Sequence, residues 1–150
     1  MLLSGGSCVT LHSSGKYVSA DLDFVLRQDV ASRIVEAALA ELGLRRVGRV
    51  FTRPGAPAAV DILPPPPAIG GEPVRSHETR RIGRRVLELL TPTDCVKDRL
   101  GAFFHWDDRQ ALAQAVLVAR ACAVDLREIR RWSLAEDRQE RYREFRAALR

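Results

Sequence analysis

The stretch Leu3–Leu26, LSGGSCVTLHSSGKYVSADLDFVL, combines a glycine-rich turn with a pair of acids. Met1–Ser4 is short and mostly apolar, which predicts a strand that ends at Gly5-Gly6. Ser7–His12 then predicts a short helix. A strand that passes through such a turn into a helix can expose backbone N–H groups to an anion. An ordinary strand-to-helix turn would have the same sequence, so both interpretations stay open.

Two aspartates occupy the second half of this stretch. Tyr17–Leu26 predicts a strand, on which Asp21 and Asp23 project from one face while Leu22 and Phe24 project from the other. The two acidic Cα atoms would lie about 6.6 Å apart. Like charges at this spacing repel each other. The pair therefore either binds a cation such as Mg²⁺, which prefers oxygen ligands, or lies on a solvated strand face.

A third acid lies in a later apolar run. Asp61 is inside AAVDIL, Ala58–Leu63, which predicts another strand. Because burying an unpaired carboxylate is costly, Asp61 either shares a cation with the first two acids or pairs with one of the many arginines.

The rest of the N-terminal part alternates between helix and strand signals. Asp29 is a candidate N-cap for a helix that ends at Gly43, since apolar residues recur at helical spacing between them. Further along, Arg46–Arg53 predicts a strand, Pro64–Pro73 a loop, and Glu78–Leu90 a β-hairpin.

Helix signals dominate from Thr91 onward. Thr91 is a candidate N-cap, followed by a proline at the first helical position. Asp107-Asp108 begins a second helix, and Ser133 with Glu136 forms a capping box for a last one. The sequence thus predicts an α+β fold in a single domain, 1–150. A small mixed sheet with flanking helices fills 1–90, and a helical portion fills 91–150.

The chain is basic, with a net charge of +5 and an isoelectric point near 9.7. A polyanionic partner such as a nucleic acid or a nucleotide is consistent with this charge. Of the 24 basic residues only Lys16 and Lys97 are lysines. Arginine richness also follows from a GC-rich coding bias, so the net charge alone does not establish that the partner is a polyanion.

The three cysteines, Cys8, Cys95 and Cys122, show no CxxC or zinc-ligand spacing, and buried free thiols are the expected state. Trp106 and Trp132 are expected to pack in the core or between helices. No apolar run is long enough for a membrane span, and no secretory leader is visible, so a cytoplasmic location is expected.

Several of these segments together resemble a known family. The GGS turn, SADLDF around Asp21 and Asp23, and VDIL around Asp61 are similar to the nucleotidyltransferases of the DNA polymerase beta superfamily. The closest likeness is to the minimal bacterial nucleotidyltransferases, including those of toxin–antitoxin and abortive-infection systems. TPTDCVKDRL, which contains Lys97, resembles the segment that opens the helical half of such proteins.

The resemblance implies a site that transfers NMP from an NTP to a hydroxyl on RNA, protein or a small molecule. Asp21 and Asp23 would bind two Mg²⁺ ions with the triphosphate. Asp61 would complete the second metal site or accept the proton of the attacking hydroxyl. The nucleotide-binding residues implied by the resemblance are Gly5, Gly6, Ser7 and Lys97.

Other functions remain open at this stage. The chain is alternatively a catalytically inactive relative that serves as an antitoxin-like or nucleic-acid-associated binding module, or a structural subunit of a larger complex. A cognate toxin or antitoxin is a possible partner, and so is a second copy of the chain. Lys97 is also explained as an ordinary surface residue. The presence of all three acids favours the enzyme.

Overall fold

Nine strands and two helices occupy the chain as far as Leu89, and four helices follow. The computed structural model describes all 150 residues. The strands are β1 Leu2–Ser4, β2 Asp21–Val25, β3 Arg45–Val47, β4 Val50–Thr52, β5 Ala59–Leu63, β6 Ala68–Ile69, β7 Glu72–Pro73, β8 Glu78–Ile82 and β9 Arg85–Leu89. The helices are α1 Gly5–His12, α2 Ser32–Glu41, α3 Pro92–Trp106, α4 Arg109–Ala121, α5 Leu126–Ala135 and α6 Gln139–Leu149. None of these helices has the length and apolar character that crossing a membrane requires.

Seven of the strands form one mixed sheet in the order β3-β4-β5-β2-β1-β9-β8. The pairs β2/β5 and β1/β9 are parallel, and the other neighbours are antiparallel. Strands β6 and β7 form a separate small hairpin. The predicted α+β class with a mixed sheet is therefore confirmed.

The main core lies between the centre of this sheet and the helices. Its 18 buried residues come from β1, β6, β9, every helix except α2, and Leu90, which directly follows β9. The largest side chains with almost no exposed surface are Leu2, Leu89, Leu90, Leu100, Phe103, Ile129, Trp132 and Phe145. Apolar residues recur three or four positions apart on α3, which is why one face of that helix is buried in this core, beside α1, α4 and α5. This core fixes α1 and α3 beside each other.

A smaller core lies beneath α2. Leu39 of α2 packs with Phe51 of β4 and Val60 of β5, and Leu22 and Ile62 lie against them. Alternation along β2 and β5 therefore turns the apolar residues toward α2 and the aspartates toward the opposite face.

Two predicted helix starts are correct in their capping chemistry. The Thr91 hydroxyl accepts a hydrogen bond from the Asp94 N–H at 3.1 Å, and α3 begins with Pro92. Asp108 caps α4 by accepting the N–H of Ala111 at 3.0 Å. Each cap satisfies a backbone donor that the first turn of a helix leaves free.

The predicted capping box at Ser133 is wrong. Ser133 is buried inside α5, where its hydroxyl donates to the carbonyl oxygen of Ile129 at 2.7 Å. Asp125 is the N-cap of α5, because its carboxylate accepts the N–H groups of Arg127 and Glu128. The residues after Asp125 therefore form two helices, and the second of them begins only at Gln139.

Other predicted boundaries also change. The strand predicted over Arg46–Arg53 is the hairpin β3–β4, which turns at Gly48 with φ of +62°. The loop predicted over Pro64–Pro73 contains the hairpin β6–β7. Helix α2 starts at Ser32, three residues after the expected cap. Trp106 is 78% exposed and does not pack in the core.

Candidate functional site

The three predicted acids project from one face of two neighbouring strands. Strands β2 and β5 are parallel, and their register pairs Asp23 directly with Asp61. Asp21 lies two residues earlier on β2 and so shares the face of Asp23. We call these three residues, together with the helix residue Asp98 described below, the acidic face. The register of β2 and β5 is what brings together Asp23 and Asp61, which are 38 positions apart in the sequence.

The three carboxylates of the strands are not drawn into a closed chelate. Ser19 donates its hydroxyl to Oδ1 of Asp21 at 2.8 Å, and Arg49 lies 3.3 Å from Oδ2 of Asp61. Asp23 has no hydrogen-bond or ion-pair partner on its side chain. Asp21, Asp23 and Asp61 do not have their ligand atoms within 4.8 Å of one another; a single, different trio in the chain does. The acidic face is thus an open arrangement, in which two carboxylates are held by replaceable partners.

The carboxyl group of Asp23 is electrostatically strained. Burial raises its pKa first, and the negative charges of Asp21, Asp61 and Asp98 add to that effect. The nearby charge of Arg99 acts in the opposite direction, and the resulting pKa is about 6. A cation placed between these carboxylates would relieve the repulsion and favour the ionised form.

The glycine turn packs directly against the acids. Gly5 has φ of +63°, and a Cβ at this position would overlap Oδ2 of Asp23. A Cβ on Gly6 would lie only 2.6 Å from the hydroxyl of Ser19. Glycine is required at position 5 because both the backbone conformation and the space exclude a side chain.

The N-terminus of α1 is occupied by a residue that sequence reasoning missed. The Gly5 N–H donates to Oδ2 of Asp98 at 3.3 Å, and that oxygen also accepts from Arg99 at 2.6 and 3.0 Å. A carboxylate at this position is favoured by the helix dipole and by the free N–H. Asp98 directly follows Lys97 in TPTDCVKDRL, so its position on α3 was the only signal in the sequence.

Ser7 acts within the scaffold in this structure. Its buried hydroxyl donates to the backbone carbonyl oxygen of Asp21. This bond ties the first turn of α1 to the strand that carries the acids. The expected phosphate contact of the hydroxyl stays a prediction, and it would require this bond to open.

Lys97 belongs to a different cluster. Its buried ammonium group contacts Asp94 at 3.2 Å and Glu128 at 3.1 Å, and it lies 6.0 Å from the centre of the Trp132 ring. Hydrogen bonds from Arg131 and, secondarily, from Lys97 lower the pKa of Glu128 to about 2. The structure does not join Lys97 to the acidic face, and its expected contact with a nucleotide also stays a prediction.

Beneath the acidic face lies a second group that the sequence did not suggest. Cys8, His12 and Cys95 are all buried, and their ligand atoms lie within 4.8 Å of one another. We call them the thiol–imidazole cluster. Cys8 and His12 are four residues apart on α1, which puts them on one helix face and was the available signal. Cys95 reaches them only because α3 packs beside α1.

Comparisons with known proteins add no further constraint. No protein-family model matches the chain, and no curated protein matches it. The functional argument therefore depends on the residues and geometry described above.

Proposed function

We propose that the acidic face binds a Mg²⁺–nucleoside triphosphate complex and that the protein is a nucleotidyltransferase of the DNA polymerase beta type. The observation that carries this proposal is the in-register pairing of Asp23 with Asp61, with Asp21 on the same face and no counterion on Asp23. Such a concentration of negative charge on a strand face stabilises nothing by itself. It is chemically useful when a divalent cation is part of the bound state.

The donor set suits Mg²⁺. This ion takes oxygen ligands and is usually held by one or two carboxylates plus substrate phosphates. The partners of Asp21 and Asp61 are a hydroxyl and an 85% exposed guanidinium, and both can be displaced at small cost. When bound, two such ions would neutralise charge on the attacking and leaving oxygens of an in-line displacement.

Other groups of the site would bind the phosphates and accept the proton of the attacking hydroxyl. Gly5 lets the Asp23 carboxylate pack against the backbone of the turn, and its N–H faces the region where Asp98 now supplies an anionic oxygen. A phosphate oxygen could replace Asp98 there, with Arg99 next to it. The acceptor oxygen would attack the α-phosphorus, pyrophosphate would leave, and Asp61 would take the hydroxyl proton.

The alternative, an inactive binding module, has one specific observation in its favour. In this arrangement Asp61 is paired with Arg49 and the Gly5 N–H is paired with Asp98. A site that no longer turns over could keep these internal partners permanently. The two functions differ in whether added Mg²⁺–nucleotide displaces them.

Thermal unfolding with and without MgATP, MgCTP or MgGTP tests the binding step. A nucleotide at 100 times its Kd adds about 2.7 kcal/mol of stability, which for a domain of this size raises the Tm by about 5–10 °C. Asp21→Asn and Asp23→Asn should abolish the rise. The control is Asp29→Asn, because Asp29 is an exposed aspartate outside the acidic face.

The outcomes separate the candidates. No rise for any nucleotide, or an equal rise in Asp23→Asn, would contradict nucleotide binding at the acidic face. A rise without pyrophosphate release or label transfer from an α-labelled NTP, when RNA and protein acceptors are present, would favour the binding module.

A further inference from the structure

The thiol–imidazole cluster has the chemistry of a metal site. It offers two thiol sulfurs and one imidazole nitrogen, and the set differs completely from the oxygen ligands of the acidic face. Cys8 and Cys95 have no exposed surface, and His12 is 3% exposed. Two sulfurs and a nitrogen in a closed, dry site suit Zn²⁺, whereas Mg²⁺ prefers oxygen and retains water.

A fourth donor faces the same point. The carbonyl oxygen of Leu90 lies 2.9 Å from Nε2 of His12 and 3.6 Å from Sγ of Cys8. Zinc sites in proteins are almost always four-coordinate, with ligands about 2.0–2.3 Å from the ion. Ligand atoms around such an ion lie about 3–4 Å apart, so only small side-chain movements are needed to close this set around a metal.

Ligation requires both thiols to lose their protons. The contact between them lowers the pKa of Cys8 and raises that of Cys95, so a metal has to displace the proton that the pair holds. The third cysteine is different: Cys122 donates to the carbonyl oxygen of His12 at 3.3 Å and is not part of the cluster. Cys122 therefore serves as an internal comparison.

We propose that Cys8, His12 and Cys95 bind one Zn²⁺ ion, with the Leu90 carbonyl oxygen as the fourth ligand. Binding releases the thiol protons to solvent and replaces the hydrogen bond between His12 and Leu90. Ligation through Nε2 leaves the proton on Nδ1, so the 3.5 Å contact between Nδ1 and Arg80 must lengthen. Arg80 keeps its bond to the Leu11 carbonyl oxygen at 2.9 Å.

The consequence of the site is structural. Cys8 and His12 lie on α1 and Cys95 lies on α3. A shared ion would lock together the two helices that carry Gly5 and Asp98. This inference does not depend on the proposed nucleotidyl transfer, because none of the zinc ligands is part of the acidic face.

The test uses the full untagged chain under reducing conditions, stripped with a chelator and titrated with Co²⁺ in excess Mg²⁺. We expect one equivalent of Co²⁺ to produce a thiolate charge-transfer band and a tetrahedral visible spectrum. Zn²⁺ should displace the Co²⁺ and raise the Tm by several degrees. Cys95→Ser should lose the charge-transfer band, and Cys122→Ser should keep it.

Two results would overturn the proposal: no thiolate band in the wild-type chain, or an unchanged band in Cys95→Ser. If Cys95→Ser does not fold, X-ray absorption of the zinc-loaded wild-type chain decides. The proposal requires two sulfur neighbours at about 2.3 Å and nitrogen or oxygen neighbours at about 2.0–2.1 Å. A first shell of oxygen and nitrogen only, or of three sulfurs, would contradict it.

Discussion

The acidic face and the thiol–imidazole cluster both border the helix pair α1 and α3 but differ in almost every physical property. In the acidic face, the carboxylates range from the exposed Asp21 to the buried Asp61, they repel one another, and Asp21 and Asp61 are contacted by Ser19 and Arg49. In the cluster, sulfur and nitrogen atoms are fully enclosed and close together. An open oxygen site can admit a hydrated ion with a substrate, and a closed sulfur site can hold an ion only as part of the folded core.

The comparison of these two regions indicates which side chains lower the free energy of unfolding. At neutral pH, both burial and the repulsion of three nearby carboxylates oppose the ionisation of Asp23. In the thiol–imidazole cluster, by contrast, Cys8 and His12 are both hydrogen-bonded to the carbonyl oxygen of Leu90. Asp23, which has no ion-pair partner, should therefore gain stability from loss of its charge, whereas a buried and paired charge such as that of Lys97 should not. Four substitutions test this contrast, from the largest expected effect to the smallest.

Gly5→Ala should cost about 2–4 kcal/mol of unfolding free energy, because the new methyl overlaps Asp23 and the backbone φ is positive. Gly15→Ala is the matched control. It also has positive φ, at +79°, but nothing lies within 4 Å of its added Cβ, so it should cost about 1 kcal/mol. Urea denaturation measures both. Equal losses would mean that crowding against Asp23 is not real.

Lys97→Met should lose about 1–3 kcal/mol, because it leaves Asp94 and Glu128 without their buried cation. Lys16 is exposed, and Lys16→Met should change stability by less than about 0.5 kcal/mol. The chain has no other lysines. Should Lys97→Met keep full stability and lose only the nucleotide-dependent rise in Tm, the residue would belong to the nucleotide site after all.

Asp23→Asn should stabilise the free protein at neutral pH. The pKa of Asp23 is raised to about 6 in the folded state, so the folded chain holds a proton that the unfolded chain has lost. This contribution is fully present below about pH 4 and disappears as the pH rises through 6. The gain at pH 7 should be about 1–2 kcal/mol, after allowance for partial solvation of the side chain.

Unfolding curves at pH 4, 5, 6 and 7 give the measurement. The gain of Asp23→Asn over wild type should fall toward zero at pH 4. Asp29→Asn should show no comparable trend. A gain that is independent of pH would mean that repulsion among the carboxylates is not its cause.

Arg49→Ala should change stability least, by about 1 kcal/mol or less, because Arg49 is 85% exposed and reaches the 9% exposed side chain of Asp61 from the solvent side. Its effect should appear in binding. If Arg49 is only an ion-pair partner of Asp61 that a bound cation displaces, the Mg²⁺–nucleotide affinity measured by calorimetry should stay the same or rise in Arg49→Ala. A large loss of affinity would make Arg49 part of the nucleotide site.

Local chemistry allowed much of the fold to be predicted. The cap at Thr91, the turn at Gly5 and the apolar alternation around Asp21 and Asp61 are short-range signals, and each appears in the structure. Ser133 was misread because a serine three residues before a glutamate looks like a capping box, although tertiary packing buries it within a helix.

The site could be predicted only in part, for a related reason. Alternation indicated that Asp21 and Asp23 share a strand face, but strand register and helix packing depend on distant residues. The pairing of Asp98 with Gly5 and the approach of Cys95 to Cys8 come from the docking of α3 on α1. No spacing within the sequence encodes either contact.

A crystal structure grown with Mg²⁺ and a non-hydrolysable NTP tests the central claim most directly. We expect metal density between Asp21, Asp23 and Asp61, phosphate oxygens near the Gly5 N–H, and Arg49 released from Asp61. A well-ordered structure at saturating ligand in which Arg49 still contacts Asp61, Asp98 still contacts Gly5 and no density joins the aspartates would contradict it.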